Sequence, residues 1–173
     1  MSERKKAKRH EERTDLVGEH PFGDAGQLVL LVVFLAVWSA DSFFFNWTTF
    51  LQDGFASWIQ APLTLLIMAA SAFLAMSGLS IVFGEVREPP KVIDKGVFGI
   101  VRHPIYFASI LFYLGLTLST LSILAAAVWI VIVLFYYLIS RFEEKLLLQN
   151  FGPAYAEYMR RVPMMIPGLK NKS

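Results

Sequence analysis

The run Ala61-Pro-Leu-Thr-Leu-Leu-Ile-Met-Ala-Ala-Ser-Ala-Phe-Leu-Ala-Met-Ser-Gly-Leu-Ser-Ile-Val-Phe83 carries no charged residue over 23 positions. A helix needs about 20 apolar residues to cross the hydrocarbon of a bilayer, so this run has the length of one span. A second run, Gly26 to Phe45, is broken only by Asp41, and a third extends from Ile105 to Ile139 with no charge at all. The third is too long for one crossing. It reads as a hairpin of two helices turning at Ser119-Thr120-Leu121-Ser122, the first arm short or tilted. With 55% hydrophobic and 17% charged side chains in 173 residues, the chain has one domain's length and too much apolar matter for a soluble core. The expected fold is all-α: a polytopic integral membrane protein of four transmembrane helices with a C-terminal cytoplasmic amphipathic helix.

Charge sets the orientation. All 16 Lys and Arg residues fall before Asp15, between Phe83 and His103, or from Arg141 onward. The positive-inside rule then places both termini and the segment from Gly84 to His103 in the cytoplasm, with Asn46 to Gln60 and the hairpin turn outside. Four spans satisfy that pattern, whereas three or five do not. The reading divides the chain into a basic cytoplasmic tail (1–25), two transmembrane helices (26–83) and a core with the hairpin and the C-terminal helix (84–173), in a prokaryotic plasma membrane. The net charge of +2 conceals this asymmetry. It points to a membrane surface and away from nucleic acid, which would call for a basic soluble face.

The basic start, Arg4-Lys-Lys-Ala-Lys-Arg9, reads as a lipid-facing tail; the apolar run after it is too long for a signal peptide and has no small-residue cleavage pattern behind it. The absence of cysteine removes disulfides, thiolate nucleophiles and Cys-based metal sites. His10 and His20 have no second ligand at metal spacing, so no metal is expected. Asp41 reads as an interfacial acid at the end of the first span.

Polar chemistry gathers at the ends of the last two helices. In Gly96-Val-Phe-Gly-Ile-Val-Arg-His-Pro-Ile-Tyr106, Pro104 suits a first helical turn and biases His103 toward an extended conformation. Arg102 and His103 then stand at a helix N-terminus whose free N–H groups favour anions. The same residues also serve as a topology anchor and an aromatic-belt member, and both readings stand. Glu143-Glu144 follow one turn beyond the apolar run. Adjacent helical side chains diverge by about 100°, so one glutamate is expected to face inward and the pair not to share one site. The loop from Pro89 to Gly99 lacks the glycine spacing of a dinucleotide or phosphate loop. The tail Phe151-Gly-Pro-Ala-Tyr155-Ala-Glu-Tyr158-Met-Arg-Arg-Val-Pro163 reads as an interfacial amphipathic helix covering the site, with Arg160 and Arg161 toward headgroups.

The order R-H-P-x-Y, hairpin, E-E, F-G-x-x-Y-x-x-Y, V-P resembles the isoprenylcysteine carboxyl methyltransferase and phospholipid methyltransferase family from about Val92 to Pro167. The resemblance implies methyl transfer from S-adenosylmethionine to a lipophilic acceptor, lipid or small molecule, on the cytoplasmic side. It implies cofactor contacts from Pro90, Lys91, Val92, Ile93, Phe98, His103, Pro104, Ile105, Tyr106 and Glu143, with Arg102 and Glu143 as catalytic residues. Glu143 is then the inward glutamate, leaving Glu144 to pair with Arg141 or another basic neighbour. Ala108 and Ser109 offer room for an acceptor chain or for close helix packing. Two departures stand out: Val97 replaces a common proline, and Ile139 occupies the place where prenylcysteine enzymes carry an arginine one turn before the inward glutamate, the nearest arginine being Arg141, which with Ala108 and Ser109 is expected to contact the substrate. The rival readings are an NADPH-dependent membrane reductase of similar topology and a non-catalytic protein that keeps the fold.

Overall fold

The computed structural model describes residues 23–54, 56–84 and 90–168; residues 1–22, nearly all of the basic tail, lie outside them, as do His10, His20 and Pro89. Among the described residues there are five α-helices and no strand: α1 (Gly23–Ser39), α2 (Ser57–Gly84), α3 (Pro104–Thr120), α4 (Ile123–Phe151) and α5 (Pro153–Arg161). A π-helical turn, Ala40–Phe45, and a 3-10 turn, Phe50–Gly54, join α1 to α2, and a second 3-10 turn, Gly96–Gly99, precedes α3. Among the described residues three segments are long and apolar enough to cross a membrane: Ala25–Phe45, Ser57–Gly84 and Ile123–Phe151. The fourth helix of the expected set, α3, is apolar but shorter, at 17 residues.

The hairpin turns where its polar residues stand. Leu121 adopts a left-handed conformation (φ 50°) and its N–H closes α3 on the Thr117 carbonyl at 2.8 Å. Ser122 then caps α4, its hydroxyl accepting from Ala125 N–H at 3.0 Å, which satisfies one of the free amides of a helix start. At the other end of α3, Pro104 occupies the first helical turn.

α3 is the central helix. One face is sealed by α2: Gln60 Nε2 donates to the Leu118 carbonyl at 2.7 Å, Ser71 Oγ donates to the Ala108 carbonyl at 2.7 Å, and Ile105 lies over Gly78. A Cβ on Gly78 would stand 2.8 Å from Ile105 Cγ1. Small residues thus let two membrane helices approach where the hydrophobic effect gives no drive. The opposite face meets α1 and α4. Phe34 packs edge-on to Tyr113 at 4.8 Å, and Trp129 Nε1 donates to the Ile110 carbonyl at 3.0 Å. Phe34, Ile110, Tyr113, Ala125, Ile132, Tyr136, Ile139 and Met165 form the main core.

Candidate functional site

On α4 the buried stripe Ala125, Ile132, Tyr136, Ile139 recurs at three, four and seven residues, the spacing of one helix face. Glu143 continues that face toward α3; Glu144, turned about 100° from it, points to the side where the chain returns after α5. The His103 ring sits in the angle between them, Nδ1 at 3.7 Å from Glu143 and Nε2 at 3.4 Å from Glu144. This corrects the expectation that the pair cannot share a site, because a third side chain occupies the space where the two directions converge. Glu144 is the more buried, its side chain 5% exposed against 12% for Glu143.

The partner of Glu144, expected as Arg141 or another basic neighbour, is Arg102. Arg102 Nε donates to Glu144 Oε1 at 2.7 Å, while Arg141 lies exposed on α4. The same guanidinium donates through Nη1 to the carbonyls of Met159 and Val162 at 2.8 and 2.7 Å. Backbone bonds from Arg102 N–H to Pro163 O (2.9 Å) and His103 N–H to Met164 O (3.1 Å) continue the clip. A strap, Val162 to Met165, is therefore fastened across the start of α3, and Met165 enters the main core. Tyr106 stacks parallel to His103 at 5.7 Å, donates to Glu143 Oε1 at 2.6 Å, and contacts the Tyr136 ring at 5.2 Å.

α5 holds the strap down. Tyr155, Tyr158 and Val162 form a second cluster with Val92, Leu147, Phe151 and Met159, and Tyr158 donates to the Phe98 carbonyl at 2.7 Å. Burial pushes both phenols up from their ordinary range, that of Tyr155 further raised by the Glu144 charge, so both stay protonated and Tyr158 stays a donor. Glu157, Arg160 and Arg161 line the exposed side, Arg161 reaching Asp94 at 3.4 Å.

The remaining expected residues divide. His103, Tyr106, Glu143 and Arg102 come together, and Ser109 faces Tyr136 from α3. Val92, Ile93 and Phe98 are half-buried, Val92 packing under α5, whereas Pro90 and Lys91 are exposed. Pro104 is buried at the helix start, but Ile105 turns to α2, away from the glutamates. Ala108 is corrected: at 1% exposure, with its carbonyl bound by Ser71, it belongs to the α2 seam and leaves no room for a ligand chain. Arg141 does not reach the cluster, and Ile139 is core. Unforeseen members are Tyr136, which carried a periodic signal seven residues before Glu143, and Glu144, whose place in the cluster was not expected; the strap begins in the Val162-Pro163 pair of the tail expected to cover the site, and only its fastening to Arg102 and His103 had no signal in the sequence.

Two buried nitrogens in the cluster, Arg102 Nη2 and His103 Nε2, make no hydrogen bond, and neither does Ser140 Oγ one turn before Glu144. Buried donors are ordinarily satisfied, so the cluster offers donor capacity beside two carboxylates and two aromatic rings.

Residues 61–154, from α2 to the start of α5, match the family model described as phospholipid methyltransferase. The chain belongs to that family. It is similar to the nickel-cobalt-cadmium resistance protein NccN of Alcaligenes xylosoxydans xylosoxydans, 30% identical over 65% of this chain and 54% of that protein. It is 33% identical to protein-S-isoprenylcysteine O-methyltransferase B of Arabidopsis thaliana over 47% of this chain and 42% of the plant protein. A third relative, methanethiol S-methyltransferase 2 of Bradyrhizobium diazoefficiens, is 33% identical over 57% of this chain and 35% of its own length. The alignments thus cover about half or less of each of these relatives.

Proposed function

We propose that the protein is a membrane methyltransferase that uses S-adenosylmethionine and a lipophilic acceptor, with its site at the cytoplasmic ends of α3 and α4. The observation that carries this reading is the buried cluster of Arg102, His103, Tyr106, Glu143 and Glu144, in which Arg102 Nη2 and His103 Nε2 make no hydrogen bond. These residues fit the cofactor. Arg102 Nη2 and His103 Nε2 would hold its carboxylate, Glu143 its ammonium group, and the rings of Tyr106 and Tyr136 would lie against its sulfonium charge. Val92, Ile93 and Phe98 would form a wall. When bound, the cofactor supplies an electrophilic methyl group on sulfur. The protein's part is alignment and exclusion of water: the strap and α5 cover the cluster, and the Arg102–Glu144 pair fixes the strap.

The topology in this reading is four crossings with both termini cytoplasmic. α3 runs beside α2 from Leu118, at the level of Gln60, to Ile105, at that of Gly78; its 17 residues come to about 26 Å at 1.5 Å per residue, short of a hydrocarbon thickness of roughly 30 Å, a mismatch that local bilayer thinning accommodates. α2 packs on α3, and α1 packs on α4. The acceptor then enters sideways from the bilayer on the Ser109 face of α3, the Ala108 face being closed.

Titration of S-adenosylhomocysteine and of NADPH into purified protein, followed by transfer of labelled methyl to a lipid extract, tests the reading. Binding of the first and a labelled product are expected. Binding of NADPH alone overturns it in favour of a reductase.

A further inference from the structure

At the end of the molecule away from the site, burial is inverted. Around the link from α1 to α2 several polar side chains are inside, Asp41 at 2% exposure with Thr49 and, in the first turn of α2, Gln60 also buried, while Asn46, Gln52 and Asp53 are exposed. The apolar ones point out, including Phe43, Phe44, Phe45, Trp47, Phe50 and Trp58, with Phe44 and Trp58 exposed to 78% and 77%. A connector in water presents the opposite pattern.

Its polar atoms satisfy a helix end. The first amides of α4 lack partners within their own helix, yet Ile123 N–H reaches Thr48 O (3.3 Å), Leu124 N–H reaches Thr48 Oγ1 (3.1 Å) and Ala125 N–H reaches Ser122 Oγ (3.0 Å). Asp41 anchors both hydroxyls: Ser122 Oγ donates to Oδ2 at 2.6 Å, Thr48 Oγ1 also donates to Oδ2, and Thr48 N–H donates to Oδ1 at 3.1 Å. The carboxylate stands at the positive end of the α4 dipole. Trp38 Nε1 and Ser42 Oγ both donate to Thr120 Oγ1, at 3.1 and 2.8 Å. Capping side chains or solvent ordinarily serve such a helix end; here the protein serves three of its amides without solvent, an arrangement that suits non-aqueous surroundings.

We infer that the connector from Phe43 to Trp58 is a lipid-docking cuff, seated in the headgroup–acyl boundary of the leaflet away from the site, with Asp41 as its internal anchor. Its partner is the bilayer itself. Trp and Tyr concentrate at that depth because their rings are apolar with a polar edge, and the exposed Phe45–Trp47 stack (4.6 Å, 23°) suits acyl contact. The connector has no Lys or Arg, and the exposed Asp53 is its one acid. The inference stands on the membrane fold and is independent of methyl transfer.

Because the chain has no cysteine, single cysteines replacing Phe44, Phe50 and Trp58 can each carry a spin label in nanodisc-reconstituted protein, with Lys91 as a water-exposed control. Power saturation with oxygen and with a polar nickel chelate is the measurement. Oxygen access exceeding nickel access at all three positions, by severalfold relative to Lys91, is expected. High nickel access like that of Lys91 overturns the inference in favour of an aqueous loop; low access to both reagents overturns it in favour of a protein partner. Retained detergent-solubilised melting behaviour in each labelled protein verifies folding, and tryptophan quenching by shallow-brominated lipids in the unlabelled protein gives a second reading free of substitutions.

Discussion

Replacing Glu144 by alanine strands a guanidinium that has almost no contact with water. The Arg102 and Glu144 side chains are 1% and 5% exposed, with Nε and Oε1 2.7 Å apart. Removing one partner of such a buried pair costs about 3–5 kcal/mol, because the remaining charge keeps its desolvation penalty and loses its compensation. For a chain of this size that corresponds to a fall in melting temperature of roughly 10 °C. The loss should begin at the strap, since the same guanidinium holds the carbonyls of Met159 and Val162. Native-state hydrogen exchange reads this directly: the Arg102 and His103 amides, bound to Pro163 and Met164, should lose roughly a hundredfold or more of their protection. The double variant Arg102→Met/Glu144→Met removes both charges and should recover most of the melting temperature, although not the site. A Glu144→Ala protein within 1 kcal/mol of the parent, or a double variant no better than the single one, would refute the assignment of this pair as the fastening of the strap.

Asp41→Ala should destabilise the protein by about 3 kcal/mol, because three donors lose a charged acceptor; thermal unfolding measures it, and Asp53→Ala is the near-neutral control. Gly78→Val should cost about 1–3 kcal/mol by forcing a branched side chain against Ile105, with separation of α2 from α3 visible as lost cross-linking between cysteines placed along their seam. A cysteine at Lys91 should resist impermeant reagents added outside intact cells and react after lysis; labelling from outside contradicts the proposed orientation. The buried phenols of Tyr155 and Tyr158 have folded pKa values raised above the ordinary tyrosine range, so the stability they contribute is complete below about pH 10 and is lost as pH rises through the folded values. Tyrosinate absorbance in an alkaline titration should therefore lag behind that of the unfolded chain, and ionisation of all tyrosines at the ordinary value would contradict their burial.

The parts of this molecule legible in the sequence are those set by nearest neighbours along the chain. Apolar runs of the right length marked α1, α2 and α4, and the Ser119 to Ser122 cluster marked the turn, because a left-handed residue and an N-cap serine act within a few residues of themselves. His103 and Tyr106 could be grouped because Pro104 starts a helix between them. The side of α4 that each glutamate faces was only half legible. Periodicity gives the angle between Glu143 and Glu144, but what fills that angle is a ring from another helix and a strap from beyond α5. Ala108 shows the same limit from the other direction: a small residue in a membrane helix means either space or contact, and Ser71 on α2 decides for contact.

Asp41 makes the physical reason plainest. Read alone, an acid at the end of an apolar run belongs at the interface, where water carries the cost of its charge. In the fold its carboxylate takes three hydrogen bonds from Thr48 and Ser122, residues separated from it by 7 and 81 positions, and those same residues cap α4. The identical logic operates at the opposite end, where Arg102 meets Glu144 across 42 positions and two carbonyls 57 and 60 positions away. Each end of the α3–α4 hairpin is thus closed by one buried charge that gathers elements distant in sequence. The two closures differ in what they leave over: at the Asp41 end all three carboxylate bonds come from groups within the fold, while at the Arg102 end Nη2 makes no hydrogen bond and the neighbouring His103 Nε2 has only the 3.4 Å contact with Glu144. On the proposed reading, the buried nitrogens beside two carboxylates at the Arg102 end would receive the cofactor, whereas the Asp41 end serves packing.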